Sequence, residues 1–211
     1  MSNISIIGTG NMARTIGALA VAGGNTVEVI GRDQSKAADL AKALGGSATT
    51  GEFGAVPAGD IVIVALLYAN AVPVVAQYGN ALAGKVIVDI TNPITPDSKG
   101  FVTPEGSSGA QEIAKAAPAG AHVVKAFNTL FSDVLAAGSA EGRPLDVFIA
   151  GDDAQAKARV SAFVESLGLR PMDAGQLPMA RALENVALLQ LGLVAHSVKH
   201  TNFVLGVSIL S

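Results

Sequence analysis

Short apolar runs alternate with alanine-rich segments of helical period along most of this chain. The runs predict strands at Ile4–Ile7, Thr26–Ile30, Ile61–Ala65, Val86–Ile90, His122–Lys125, Asp146–Ala150 and Arg170–Asp173. Between them, Met12–Ala22, Ser35–Leu44, Asn70–Tyr78, Ala110–Ala116 and Ala154–Leu167 fit helices, and Ser47–Thr49 fits one more short strand. Strands and helices alternating in this way describe a parallel sheet covered by helices on both faces. Gly23-Gly24, Gly45-Gly46, Pro93, Pro96 and Pro104 punctuate the joins. Thr91–Gly109 is the longest stretch without periodicity; it follows a strand, so it belongs at the carboxyl edge of the sheet, where such folds bind ligands. After Asp173 the remaining 38 residues read as one long helix with a break. No repeat, low-complexity tract or flexible linker interrupts the pattern.

Composition narrows the function. Half of the 211 residues are apolar and 15% are charged, enough for one large core. A net charge of −3 without a Lys/Arg cluster speaks against nucleic-acid binding. There is no cysteine, which removes disulfides, thiolate chemistry and Cys-ligated zinc. Met1 leads directly into an apolar strand without a basic leader, and the apolar stretch Val186–Val194 is too short to cross a bilayer, so the expectation is a cytoplasmic protein that does not engage a membrane.

Ile4-Ser5-Ile6-Ile7 runs into Gly8-Thr9-Gly10-Asn11-Met12-Ala13, a G-x-G-x-x-A turn between a strand and a helix. That context defines a Rossmann-type dinucleotide site: Gly8 permits the tight turn, Gly10 lets a pyrophosphate approach the backbone, and Ala13 lets helix and sheet pack closely. The expected architecture is therefore α/β, a doubly wound and mostly parallel sheet. Residues 1–175 form the dinucleotide-binding domain, and 176–211 a short C-terminal helical extension packed on it or on a dimer partner. The second strand ends in Gly31-Arg32-Asp33-Gln34-Ser35-Lys36, where an NAD-binding chain would carry an acid for the ribose 2′-hydroxyl. Arg32 and Lys36 there suit the 2′-phosphate of NADP; the competing reading makes both solvated surface charges with Asp33 capping the helix, and Asp33 keeps NAD open as the coenzyme.

At the other end of the expected cofactor, Ala65-Leu66-Leu67-Tyr68-Ala69-Asn70 places Tyr68 at a strand tip, where its ring could wall the nicotinamide. Two further tips, Thr91-Asn92-Pro93 and Phe127-Asn128-Thr129, converge on the same edge. His196 and His200 stand four apart on the expected C-terminal helix, without a third metal ligand. No G-x-S-x-G elbow, Walker lysine or paired carboxylates in a cleft support hydrolysis or phosphoryl transfer. Hydride transfer, which needs orientation more than acid or base groups, fits a site of backbone, Asn and Tyr.

Together, Ile6–Met12, Gly31-Arg32 with Lys36, Leu66–Asn70, Val88–Pro93, Val123–Thr129, Ala150–Asp153, Asp173–Gly175 and Thr201–Phe203 resemble the NADPH-dependent coenzyme F420 reductases, or F420H2:NADP oxidoreductases, and the related reductase domain of the STEAP ferric reductases. The resemblance implies an enzyme that moves hydride between NADP(H) and a small-molecule acceptor, F420 or a flavin such as FMN or FAD, often as a homodimer with the C-terminal helix completing the cleft. It implies that Gly8, Thr9, Gly10, Asn11 and Met12 hold the pyrophosphate, that Gly31, Arg32 and Lys36 take the 2′-phosphate, and that Leu66, Leu67, Tyr68, Asn92, Pro93 and Asn128 surround the nicotinamide and acceptor. The chain departs from the family at Tyr68, Asn70 and Asp33, which leaves quinones and ferric chelates open as acceptors. A non-catalytic NADPH-binding sensor is the alternative. The Gly10–Ala13 piece also resembles pyrroline-5-carboxylate reductase, whose long helical domain 38 residues are too few to supply.

Overall fold

The computed structural model describes residues 1–140 and 142–210. The strands are β1 (Asn3–Ile7), β2 (Thr26–Ile30), β3 (Thr49–Gly51), β4 (Ile61–Val64), β5 (Val86–Asp89), β6 (His122–Lys125), β7 (Ser139–Ala140), β8 (Arg143–Pro144), β9 (Asp146–Gly151) and β10 (Arg170–Gly175). Eight of them make one sheet in the order β10-β9-β6-β5-β4-β1-β2-β3, and β7 and β8 pair as a separate hairpin. All neighbours in the sheet run parallel except β6 and β9. The doubly wound α/β expectation is met, with the last two strands reversed as a pair. β3 lies two residues later than the pattern placed it.

The helices are α1 (Asn11–Ala22), α2 (Gln34–Leu44), α3 (Tyr68–Tyr78), α4 (Gly109–Ala116), α5 (Ser132–Ala137), α6 (Ala154–Ser166) and α7 (Ala180–Leu193). Their starts follow from local chemistry. Asp33 caps α2, Asp153 caps α6, and Ser108 with Gln111 closes a capping box on α4. Successive residues of β4 face opposite ways: Ile61 and Ile63 pack with Ile16, Leu40 and Phe163, whereas Val62 and Val64 pack with Val75, Leu82 and Ile113. Both faces of the sheet are therefore buried, and its central strands have no polar side to show.

The C-terminal region departs from a single broken helix. β10 runs on to Gly175, a 3-10 turn at Leu177–Met179 leads into α7, and one wide turn, Val194–Val198, ends at Lys199 in a left-handed conformation. From there the chain is an irregular strap to residue 210. Thr201–Ser208 is poor in strong helix formers, and the strap finds better partners on the sheet. The Val207 N–H donates to Asp146 Oδ2 (2.7 Å), its carbonyl accepts from Arg170 (2.6 Å), and Phe203 meets Phe131 edge-on at 5.8 Å. Because the helix stops at Lys199, His196 and His200 do not share a helical face, and among the described residues no three His, Cys, Asp or Glu side chains gather as a metal site. No helix among the described residues is long and apolar enough to cross a membrane.

Candidate functional site

With β1 between β2 and β4, the strand order reverses at the carboxyl end of β1, the position at which open α/β sheets bind ligands. Gly8 turns the chain there with φ +133°, and a Cβ on it would lie 2.2 Å from the Ala65 carbonyl oxygen, so the protein itself demands glycine. Gly10 is different. It caps α1 in an ordinary extended conformation, and a Cβ there would meet no protein atom within 4 Å. No neighbouring protein atom requires a bare residue at this point, and the space in front of it is open to a ligand approaching the backbone. α1 begins without a side-chain cap or an acidic residue in its first turn, which leaves its N–H groups and the positive end of its dipole unclaimed by side chains. Ala13 is fully buried against the sheet, Met12 packs on the core, and Asn11 is exposed.

A cleft of about 200 Å³ opens at this turn, walled by Gly8, Thr9, Gly31, Arg32, Leu66 and Asn70 among others. A Cβ on Gly31 would come within 3.0 Å of the Thr9 methyl, so that glycine keeps the cleft open. The Asp33 carboxylate accepts the Lys36 N–H at 3.2 Å and lies 3.8 Å from the Lys36 ammonium. It is thus engaged as a cap, while Arg32 stands exposed on the cleft wall.

The expected reacting end comes together only in part. Asn92 and Asn128 are bonded to each other twice: Asn92 Nδ2 donates to the Asn128 carbonyl (2.9 Å), and Asn128 Nδ2 to Asn92 Oδ1 (3.0 Å). Asn128 Nδ2 also donates to the Leu183 carbonyl of α7 (3.0 Å). These amides border a cavity of about 320 Å³, with Ile94, Leu130, Phe131 and Gln190 of α7 among its other walls. Pro93 is buried, its carbonyl accepting from Val102 N (2.8 Å). Tyr68 is not at a strand tip. It opens α3, preceded by the exposed cap residue Leu67, and its ring packs on Gly109 at the start of α4 instead of bordering the amide cavity. Burial raises the Tyr68 hydroxyl pKa, and the carboxylates of Glu112, Glu184 and Asp89 add to the effect.

Beneath the two amides lies a group the sequence reading did not single out. Lys125 is fully buried and donates to Asp89 Oδ2 (2.8 Å), the Thr91 carbonyl (2.5 Å) and Glu184 Oε1 of α7 (3.1 Å). Asp89 Oδ1 accepts from Thr91 N, Glu184 Oε1 also accepts from Gly109 N, and Glu184 Oε2 faces Arg181 Nη1 at 3.2 Å. Arg181 lies over the Phe101 ring and bonds to Thr103 and to the Ser107 carbonyl, which ties α7 to the long aperiodic segment. Burial raises the Glu184 carboxyl above its usual range, against the pull of Lys125 and Arg181. Two carboxylates thus share one ammonium, 36 and 59 positions from it along the chain, but they are fully buried and line neither the cleft at the glycine turn nor the amide cavity, so they are not a carboxylate pair in a cleft. One signal was available. Asp89 and Lys125 end adjacent apolar strands as opposite charges and are register partners.

Residues 3–93 match the family model described as NADP oxidoreductase, coenzyme F420-dependent. Over the full fold, a crystal structure from Arthrobacter sp. FB24, assigned as an F420-dependent NADP reductase, superposes with a TM-score of 0.85 at 25% identity, covering 99% of this chain and 100% of that one. The likeness to that family runs through residues 3–93. Metalloreductase STEAP3 of Rattus norvegicus is 31% identical over 185 residues, 88% of this chain but 36% of the relative, so the chain spans about a third of that protein's length. An imine reductase of Myxococcus stipitatus in complex with NADP+ shares the fold at 20% identity, with a TM-score of 0.66 over 92% of this chain and 62% of that one.

Proposed function

We propose that the protein is an oxidoreductase that passes hydride between NADP(H) and a deazaflavin of the F420 type or a flavin. The observation that carries this reading is the glycine turn: Gly10 is bare although no protein atom requires it, in front of uncapped helix N–H groups and next to a cleft walled by Arg32. A dinucleotide with an extra phosphate fits that donor set. The α1 N–H groups with Gly8, Thr9, Gly10, Asn11 and Met12 would hold the pyrophosphate, Arg32 and Lys36 the 2′-phosphate, and Leu66 the ribose. When bound, NADPH supplies a hydride, and the acceptor takes that hydride and a proton. Asn92 and Asn128 orient the rings with neutral amides, and the cavity beside them is walled by apolar and uncharged polar side chains, which suits a planar heterocycle more than a charged ferric chelate.

The test is turnover. NADPH is mixed with F420, FMN, riboflavin, a quinone and a ferric chelate, and the reduced-nicotinamide absorbance is followed. Oxidation with F420 or a flavin is the expected result. Tight NADPH binding with no acceptor consumed would make the protein a sensor of the coenzyme instead.

A further inference from the structure

We propose that Lys125 is a positioning residue for the reacting end of the cleft: its buried ammonium, clamped by Asp89, Thr91 and Glu184, fixes the Asn92–Asn128 pair and α7 in a single arrangement. The inference rests on the reading that the nicotinamide lies at this rim.

Three facts carry it. The ammonium has three N–H groups and three acceptors on three elements: Asp89 at the end of β5, the Thr91 carbonyl one residue before Asn92, and Glu184 on α7. Each Asn tip is therefore within a few residues of the clamp. The helix that the clamp holds also supplies the Leu183 carbonyl to Asn128, while its Gln190 donates to the Thr129 carbonyl (2.8 Å). Second, Phe127, between Lys125 and Asn128, is buried in a left-handed conformation with φ +62°. A bulky residue adopts that conformation only where its surroundings impose it, and here the turn at Phe127 sets where Asn128 emerges. Third, stability does not account for the cluster. An ammonium between buried carboxylates carries a desolvation cost that apolar side chains of equal volume would avoid, whereas its directional bonds specify one geometry. Arg181 and Glu184 form the outer part of the same cluster, and the Glu184–Gly109 bond extends it to the segment against which Tyr68 packs.

Two variants of the full chain test this. Lys125→Met strips two buried carboxylates of the ammonium they share and challenges folding itself; Lys125→Met with Asp89→Asn removes the pair together and leaves Glu184 facing Arg181. Three readouts are taken: affinity for 2′,5′-ADP, which reaches only the phosphate end; the change in NADPH emission on binding, which reports the nicotinamide surroundings; and the single-turnover rate with whichever acceptor the wild type reduces. In the double variant we expect unchanged 2′,5′-ADP affinity and loss of the NADPH emission change. The hydride-transfer rate should fall about 100-fold, the scale of a roughly 1 Å misplacement. Wild-type emission in the double variant would overturn the proposal, and so would parallel loss of 2′,5′-ADP binding, which would make the cluster a general stability element. A wild-type protein that shows the emission change but reduces neither F420 nor a flavin would refute the acceptor assignment and leave the positioning role to be decided by the emission of the variant.

Discussion

The cleft at the glycine turn and the amide cavity are built on opposite plans. At the proposed phosphate end, consecutive residues make up the site: one turn, one helix start and one strand tip supply Gly8 to Met12 and Gly31 to Lys36, and its cations stay in water. At the amide end, each group is completed by another from far along the chain, and the charges are buried and mutually satisfied. Lys125 meets Asp89 across 36 positions and Glu184 across 59, and Glu184 meets Gly109 across 75. The difference teaches that gripping a charged, hydrated group needs local backbone geometry and little else. Orienting a neutral ring needs a rigid wall, which only tertiary structure can provide.

The contrast can be broken or sharpened by substitution. The largest effect is expected from Lys125→Met, which leaves two buried carboxylates facing each other; urea unfolding should show a loss of about 3–5 kcal/mol. A loss within the range of ordinary surface substitutions would mean that the amide end is not held by charge. Next comes Gly8→Ala. Its positive φ alone carries about 1–3 kcal/mol of strain, and the contact with the Ala65 carbonyl adds to it, so both melting temperature and coenzyme binding should fall.

Arg32→Ala should weaken NADPH by about 1–3 kcal/mol while sparing NADH and the melting temperature, as titration calorimetry with the two coenzymes would reveal. Equal losses for both would remove the 2′-phosphate role. Gly10→Ala should separate ligand from fold: the protein stays folded, losing at most about 1 kcal/mol at the helix cap, while NADPH binding weakens about tenfold or more, roughly 1.4 kcal/mol. Were stability and binding to fall together, the bare position would belong to the protein after all.

The smallest effect concerns the strap beside the amide end. Hydrogen bonds from Arg170 hold the Asp146 carboxyl below the ordinary carboxylate range, against the opposing effect of burial. A lowered folded-state pKa means that the stabilisation is present above the unfolded value, near pH 3.9, and is lost as pH falls through the folded one. Asp146→Asn should mimic that loss at neutral pH. Since Phe203 of the strap packs on Phe131, a wall of the amide cavity, the variant should raise the acceptor KM severalfold and leave 2′,5′-ADP binding unchanged. A change at the phosphate end instead would erase the distinction between the two regions.

Much of the molecule was legible from residue order. Central strands buried on both faces must be apolar throughout, so β1, β4 and β5 announced themselves, and the glycine turn did so because its work is done by neighbouring backbone atoms. The displaced acid at Asp33 could likewise be read as a cap, a contact spanning three residues. Other features had no local signature. α5 is too short to show a period, and the strap takes its shape from Asp146 and Arg170 rather than from its own propensity.

What the sequence by itself determined, then, was the order and layering of strands and helices and the glycine turn between β1 and α1, because periodicity and glycine geometry act over a few residues. Only the tertiary structure decided the reversal of β9 and β10, the pairing of Asn92 with Asn128 and the Lys125 cluster below them. Those depend on which strand ends become neighbours and on where α7 lands, and a buried charge has no meaning until its partner from another element is in reach.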